Sequence, residues 1–188
     1  MKNQIIIITG PKHSGKTLCA GALAKISGGV AADLDELVTK ETGKTPRELF
    51  KEGPEIFRKA EASALASLAL TAKSENNLII IAAGGGLIDN PEALALLSQH
   101  REIITVYLEV SPETAWQRIL NTAAAEGELP PFLKTENPRE THFALHKRRA
   151  EGYKTLAQFT VSAENKSPGE IADEITGHFE LQVDSVMP

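Results

Sequence analysis

Residues Gly10-Pro11-Lys12-His13-Ser14-Gly15-Lys16-Thr17 place two glycines, a lysine and a hydroxyl at the spacing G-x-x-x-x-G-K-[ST]. A phosphate chain needs several backbone N–H groups converging on it. Glycines let such a loop curl around the phosphates, and a helix starting at its end adds a favourable dipole. At this spacing Lys16 reaches the β- and γ-phosphates and the Thr17 hydroxyl ligates Mg2+. Gly10, Lys12, His13, Ser14, Gly15, Lys16 and Thr17, with Leu18 after them, form the candidate nucleotide-binding set. The competing reading is a glycine-rich strand–helix turn without function. A strand-like run before the loop and an amphipathic pattern after it (Leu18, Ala22 and Ile26 on one stripe) speak against that. His13 stands where glycine is common in such loops and reads as solvent-facing. Cys19 reads as a small packing residue, because no histidine can be placed beside it.

Four further groups carry possible chemistry. Asp33 and Asp35 sit two apart at the end of an apolar run. They read as carboxylates pointing to opposite sides, one towards the water shell of a metal, the other towards an acceptor hydroxyl. An N-cap for a helix over Glu36–Glu41 is an equally open reading. Arg58 can meet a carboxylate bidentately, as a lysine cannot. Glu61, three residues on, could orient it, or the two could be an ordinary surface pair. Gly84-Gly85-Gly86 lets main-chain N–H groups approach a ligand closely, or serves as a flexible turn. Before it the chain reads Ala82-Ala83, where many phosphate-loop proteins put a metal-binding aspartate, so Asp33 gains weight. Taken alone, the run Lys147-Arg148-Arg149 before Tyr153 is a solvated helix face or a weak nucleic-acid patch.

These groups need a scaffold. Short, continuous apolar runs at Gln4–Thr9, Gly29–Ala32, Asn77–Ala82, Glu102–Glu109 and Phe159–Val161 read as strands covered on both faces. Helical patterns alternate with them. Thr45-Pro46-Arg47-Glu48 and Ser167-Pro168-Gly169-Glu170 read as capping boxes, and Asn90-Pro91 and Ser111-Pro112 as caps. Gly28-Gly29 closes the first helix, and Glu55–Lys73 reads as one long helix. The alternation predicts an α/β three-layer fold. Residues 121–141 carry Gly127, Pro130, Pro131 and Pro138 and no strong apolar period, which predicts a lid.

Composition narrows the class. The 188 residues fit one domain, and 41% hydrophobic with 24% charged excludes wholesale disorder. A net charge of −5, without aromatic residues between the basic ones, argues against nucleic acid as a partner. One cysteine permits no internal disulfide and suits a reducing compartment. The run Ile5–Ile8 is too short for a signal-peptide core, and Leu78–Ile88 is too short to span a bilayer. The expectation is a cytoplasmic protein that uses no membrane.

From Ile5 to about Ile175 the chain resembles the shikimate kinase family. The resemblance rests on the phosphate loop, Asp33-x-Asp35, the stretch from Thr45 through Phe57-Arg58 to Glu61, the glycine triplet, and Arg149 four residues before Tyr153. It implies a P-loop kinase fold over residues 1–188, with five parallel strands in the order 2-3-1-4-5, substrate-binding helices at about 35–74 and a mobile lid. It implies ATP and Mg2+ as cofactors and phosphorylation of shikimate to shikimate 3-phosphate, a step of aromatic amino acid biosynthesis, by a monomer. Lys16, Asp33 and Asp35 become catalytic, with Thr17 and Asp33 on the metal. Asp35, Arg58, Gly84, Gly85, Gly86 and Arg149 take shikimate, while Arg118 and Pro168 flank the adenine. One departure stands out. The family carries an Arg-Pro pair in the lid, and this chain reads Leu129-Pro130-Pro131-Phe132-Leu133. Lys134, Arg139 or Lys12 could supply the missing cation. Two other readings stay open: a sister kinase for another carboxylated polyol, and a nucleotide-binding protein with weak or no transfer activity.

Overall fold

A computed structural model of the chain describes residues 5–75, 77–100 and 102–180. Gln4, expected in the first strand, and the outer ends of the 1–188 domain lie outside the described residues. Five parallel strands form one sheet: β1 (Ile5–Thr9), β2 (Val30–Asp33), β3 (Ile79–Ala82), β4 (Ile103–Glu109) and β5 (Phe159–Ser162). Their order is β2-β3-β1-β4-β5, as expected. β1 is central, paired with β3 on one side and β4 on the other. Both faces are covered, which is why its residues are apolar without alternation. Ile5 to Ile8 are each at most 1% exposed. Burying each such side chain stabilises the fold by about 2 kcal/mol.

Helices α1 (Lys16–Ser27) and α8 (Pro168–Phe179) cover one face, over Ile6, Ile8 and Val161. On the other face lie α2 (Leu34–Thr42), α4 (Pro54–Glu75) and α5 (Pro91–Gln99), with α3 (Pro46–Glu52) packed on α4. Helices α6 (Pro112–Glu126) and α7 (Pro138–Leu156) complete the chain. Thr45 and Ser167 form the two capping boxes, while Asn90 and Ser111 cap α5 and α6. No helix among the described residues is long and apolar enough to cross a membrane.

Three expectations need correction. The fully buried side of α1 is Cys19, Ala20, Leu23 and Ala24; of the Leu18 stripe, Ala22 and Ile26 are partly buried against that core and Leu18 is exposed. The phosphate loop fixes where α1 starts, and that start turns residues 19 and 20 towards the sheet. Helix α2 begins at Leu34, not Glu36, because Asp33 caps it. The segment 121–141 is helical at both ends and irregular only between them. Ala123–Ala125 favour helix, so α6 runs on until Gly127 closes it in the left-handed conformation, and Pro138 at N1 opens α7. Residues 127–137 remain irregular, apart from a 3-10 turn at Pro131–Leu133.

Candidate active site

The loop after β1 folds as its glycines require. Gly10 (φ 145°) and Gly15 (φ 99°) lie in backbone regions that disfavour a side chain. A Cβ on Gly10 would come within 2.7 Å of the Leu108 carbonyl oxygen. His13 is also left-handed (φ 62°), which explains why glycine suits that position. Its ring is half-buried, with Nδ1 3.4 Å from Thr122 Oγ1 on α6, so it does not simply face solvent. Lys16 Nζ donates to the carbonyls of Gly10 (3.1 Å) and Pro11 (2.7 Å). Burial and the neighbouring Lys12 charge lower the Lys16 pKa to about 8, against the pull of Asp35 and Asp33. Cys19 is buried, and burial pushes its thiol up to about 11, as a packing residue requires.

Asp33 and Asp35 divide their partners. Asp33 Oδ2 accepts from Thr17 Oγ1 at 3.0 Å, and its Oδ1 accepts from the Asp35 amide at 3.0 Å. The capping and metal-side readings of Asp33 are therefore compatible. Continued strand geometry would put residues two apart on the same side, contrary to the opposed-carboxylate expectation. It is the turn into α2 at Leu34 that separates them. Asp35 is accessible to solvent, yet surrounding protein and Asp33 raise its proton affinity, while Lys12 and Lys16 pull it back. Thr17 Oγ1 and Asp33 are hard oxygen donors. Among the described residues no group of three or more His, Cys, Asp or Glu side chains is arranged to hold a metal ion. This donor set fits Mg2+, which commonly binds through one or two protein oxygens together with phosphate and water.

The glycine triplet is the meeting point. Ala83 N donates to Ile8 O, which brings the loop after β3 beside the phosphate loop. A Cβ added at Gly84 would lie 3.3 Å from Asp35 Oδ1 and 3.7 Å from Glu61 Oε1. At Gly85 it would lie 3.3 Å from the Lys12 amide nitrogen, and at Gly86 3.8 Å from Arg149 Nη2. Close approach, not left-handed backbone, is what these positions need. Tyr153 donates to the Gly85 carbonyl at 2.6 Å and stacks on Tyr107, fixing α7 to both the triplet and β4. The buried His142 adds a 3.0 Å contact from Nε2 to the Pro112 carbonyl, tying α7 to the start of α6.

The Arg58–Glu61 pair does not form as expected. Glu61 is 1% exposed and Arg58 is exposed, because α4 turns one inward and the other outward. Asn90 joins them instead, its Nδ2 donating to the Arg58 carbonyl (2.9 Å) and to Glu61 Oε2 (2.8 Å). Glu61 Oε1 has no partner among the described groups. Burial raises the Glu61 pKa to about 7, partly offset by the Asn90 hydrogen bond. Arg118 donates to the carbonyls of His13 (3.3 Å), Ser14 (3.4 Å) and Ala163 (3.1 Å), bracing the phosphate loop against the turn before α8. That turn carries Asn165 (φ 54°) and leads to Pro168 at N1. Trp116 packs beside His142, with ring centroids 5.6 Å apart.

The irregular segment borders the loop. Lys12, His13, Arg47, Thr122, Glu128 and Pro130 line a cavity of about 170 Å3. Lys134 is paired with Glu128, and Arg139 lies over the Phe143 ring at 4.5 Å. Lys12 faces both this cavity and a constriction of about 20 Å3 shared with Phe132, Arg149 and Tyr153. A larger cavity of about 690 Å3 lies between α7 and the β4–α6 turn. The site is assigned to the phosphate loop because the charged groups, glycines and strand ends converge there.

Sheet order and phosphate loop define a P-loop kinase fold with its site at the carboxyl ends of the strands. A family profile described as shikimate kinase matches residues 12–180. The chain belongs to the shikimate kinase family. It is 34% identical to a shikimate kinase of Thermobifida fusca, covering 91% of this chain and 92% of that one. The structure of a shikimate kinase from Acinetobacter baumannii in complex with shikimate superposes with a TM-score of 0.77 at 28% identity, covering 94% of this chain and 93% of that one. A shikimate kinase from Aquifex aeolicus gives 0.72 at 25% identity, with coverage of 94% and 96%.

Proposed function

We propose that this chain transfers the γ-phosphoryl group of ATP to a hydroxyl of shikimate, giving ADP and shikimate 3-phosphate. The observation that carries the proposal is the convergence of Asp35, Glu61, the Lys12 backbone and Arg149 around Gly84–Gly86. It brings a carboxylate, a guanidinium and the phosphate loop to one spot. A carboxylated polyol presents the matching groups: a hydroxyl for Asp35 and a carboxylate for Arg149 and Arg58.

In this reading the loop amides and Lys16 hold the phosphates. Thr17 and Asp33 hold Mg2+, which when bound neutralises charge on the β- and γ-oxygens. Asp35 orients the acceptor hydroxyl and takes its proton. The new bond joins that oxygen to the γ-phosphorus, and the bond to the bridging oxygen of ADP breaks. The adenine lies between Arg118 and the turn before Pro168. The segment 121–141 acts as the lid, and helices within 35–74 shape the acceptor side. Lys134 and Arg139 already have partners. Lys12, which lines both the cavity beside Pro130 and the constriction beside Arg149, is in this reading the cation that stands in for the family's lid arginine.

The acceptor is tested with shikimate, gluconate and a nucleoside monophosphate, each with MgATP. Shikimate alone is expected to support turnover and to raise the melting temperature. Turnover with gluconate or the nucleotide in its place overturns the assignment.

A further inference from the structure

We propose that Asp89 is a positioning residue that sets the Arg149 guanidinium for the acceptor carboxylate, with Arg148 bracing Asp89 from the other side. This rests on the reading of Arg149 as a carboxylate anchor. Asp89 ends the 3-10 turn Leu87–Asp89 directly after the glycine triplet, and its amide donates to the Gly86 carbonyl at 2.8 Å. The next residue, Asn90, caps α5 and holds Glu61. The Asp89 backbone is thus fixed from both ends.

Its carboxylate is shared between two arginines about sixty residues away in sequence, on α7. Arg149 donates from Nε (2.9 Å) and Nη2 (2.7 Å) to Oδ2. Arg148 donates from Nη1 to Oδ1 (2.7 Å) and from Nη2 to Oδ2 (2.9 Å). Arg149 and Asp89 are only 21% and 23% exposed, whereas Arg148 is 58% exposed. The Arg148 and Arg149 hydrogen bonds hold the Asp89 carboxyl below the usual carboxylate range.

Two consequences follow from this arrangement. A guanidinium on a long, rotamer-rich stem is held in one orientation before the ligand arrives, so less freedom is lost on binding. The Nε–Nη2 edge is also taken, so an incoming carboxylate meets the hydrogens at the Nη1–Nη2 end. Arg148 keeps the Asp89 charge paired if Arg149 shifts towards the ligand.

The test compares kinetics of Asp89→Ala, Asp89→Asn, Arg148→Ala and Arg149→Ala with the wild type, using shikimate and its methyl ester as acceptors. Asp89→Ala is expected to raise KM for shikimate about tenfold, as loss of charge-assisted hydrogen bonds does. Its kcat and its KM for ATP stay within about threefold, and its KM for the ester is unchanged. Asp89→Asn, which keeps an acceptor for Arg149, falls between, and it decides the matter if Asp89→Ala fails to fold. Arg148→Ala has a smaller effect, because it is exposed. An unchanged KM for shikimate in the Asp89 variants, with a raised KM in Arg149→Ala, overturns this inference and leaves the acceptor reading standing. Equal changes for shikimate and the ester also overturn it, because they mark a purely structural role. An unchanged KM in Arg149→Ala overturns the anchor reading itself, and this inference with it.

Discussion

The Thr17 hydroxyl donates to Asp33 Oδ2 at 3.0 Å, while Oδ1 of the same carboxylate caps α2 through the Asp35 amide. One side chain therefore links the phosphate loop to the start of the helix that bears Asp35. The two duties can be separated. Asp33→Asn keeps a capping oxygen but loses the charge, whereas Asp33→Ala loses both. Both variants are expected to need at least about tenfold more Mg2+ for half-maximal activity. Only Asp33→Ala also loses about 1 kcal/mol of stability, the usual value of such a cap. Mg2+ titrations beside thermal melts check this.

Lys16 loses its charge above pH 8, because burial and Lys12 depress its pKa. In the proposed mechanism it is the charged form that holds the phosphates. In the free enzyme kcat/KM for MgATP should therefore fall about tenfold per pH unit above that point. Lys12→Ala removes a repelling charge, so the falling limb moves to higher pH. The same variant should lose about tenfold or more in kcat, as removal of a transition-state cation does. Lys134→Ala, whose partner is Glu128, should stay within about twofold of wild type. A pH–rate profile for each protein tests both statements.

Glu61 titrates near pH 7 in the folded state, above its ordinary value of 4.5. Its folded pKa is raised, so its favourable contribution is full below about pH 4.5 and is lost as pH rises through 7. At pH 8 the buried charge costs on the order of 3 kcal/mol. Glu61→Gln keeps an acceptor for Asn90 and removes that charge. It should melt higher than wild type at pH 8 and nearly equal to it at pH 5. A pH series of melting curves reads this directly.

What could be read without coordinates was local. The phosphate loop is eight contiguous residues, and the capping boxes are four each, so residue type and spacing suffice there. The run of four isoleucines in β1 marks itself as a strand covered on both faces for the same reason. Contacts between distant segments were hidden. Asp89 stands before an Asn-Pro cap and gives no sign that its partners lie on α7. Asn90 reads as a cap, yet its second amide function joins Arg58 to Glu61. Spacing on α4 paired Arg58 with Glu61 but could not tell which one faces the core. Family likeness, more than chemistry legible in the local run, singled out Arg149. In 121–141 the prolines mask the helix-favouring alanines that extend α6, so its helical ends do not show in the sequence.

The most direct measurement is a coupled assay of ADP release with MgATP, with and without shikimate, for wild type and Arg58→Ala. ADP release is expected to depend on shikimate, and Arg58→Ala is expected to lose about a hundredfold in kcat/KM for shikimate, consistent with loss of a bidentate carboxylate contact. Folded wild-type protein that binds MgATP but releases no ADP in response to shikimate would contradict that expectation.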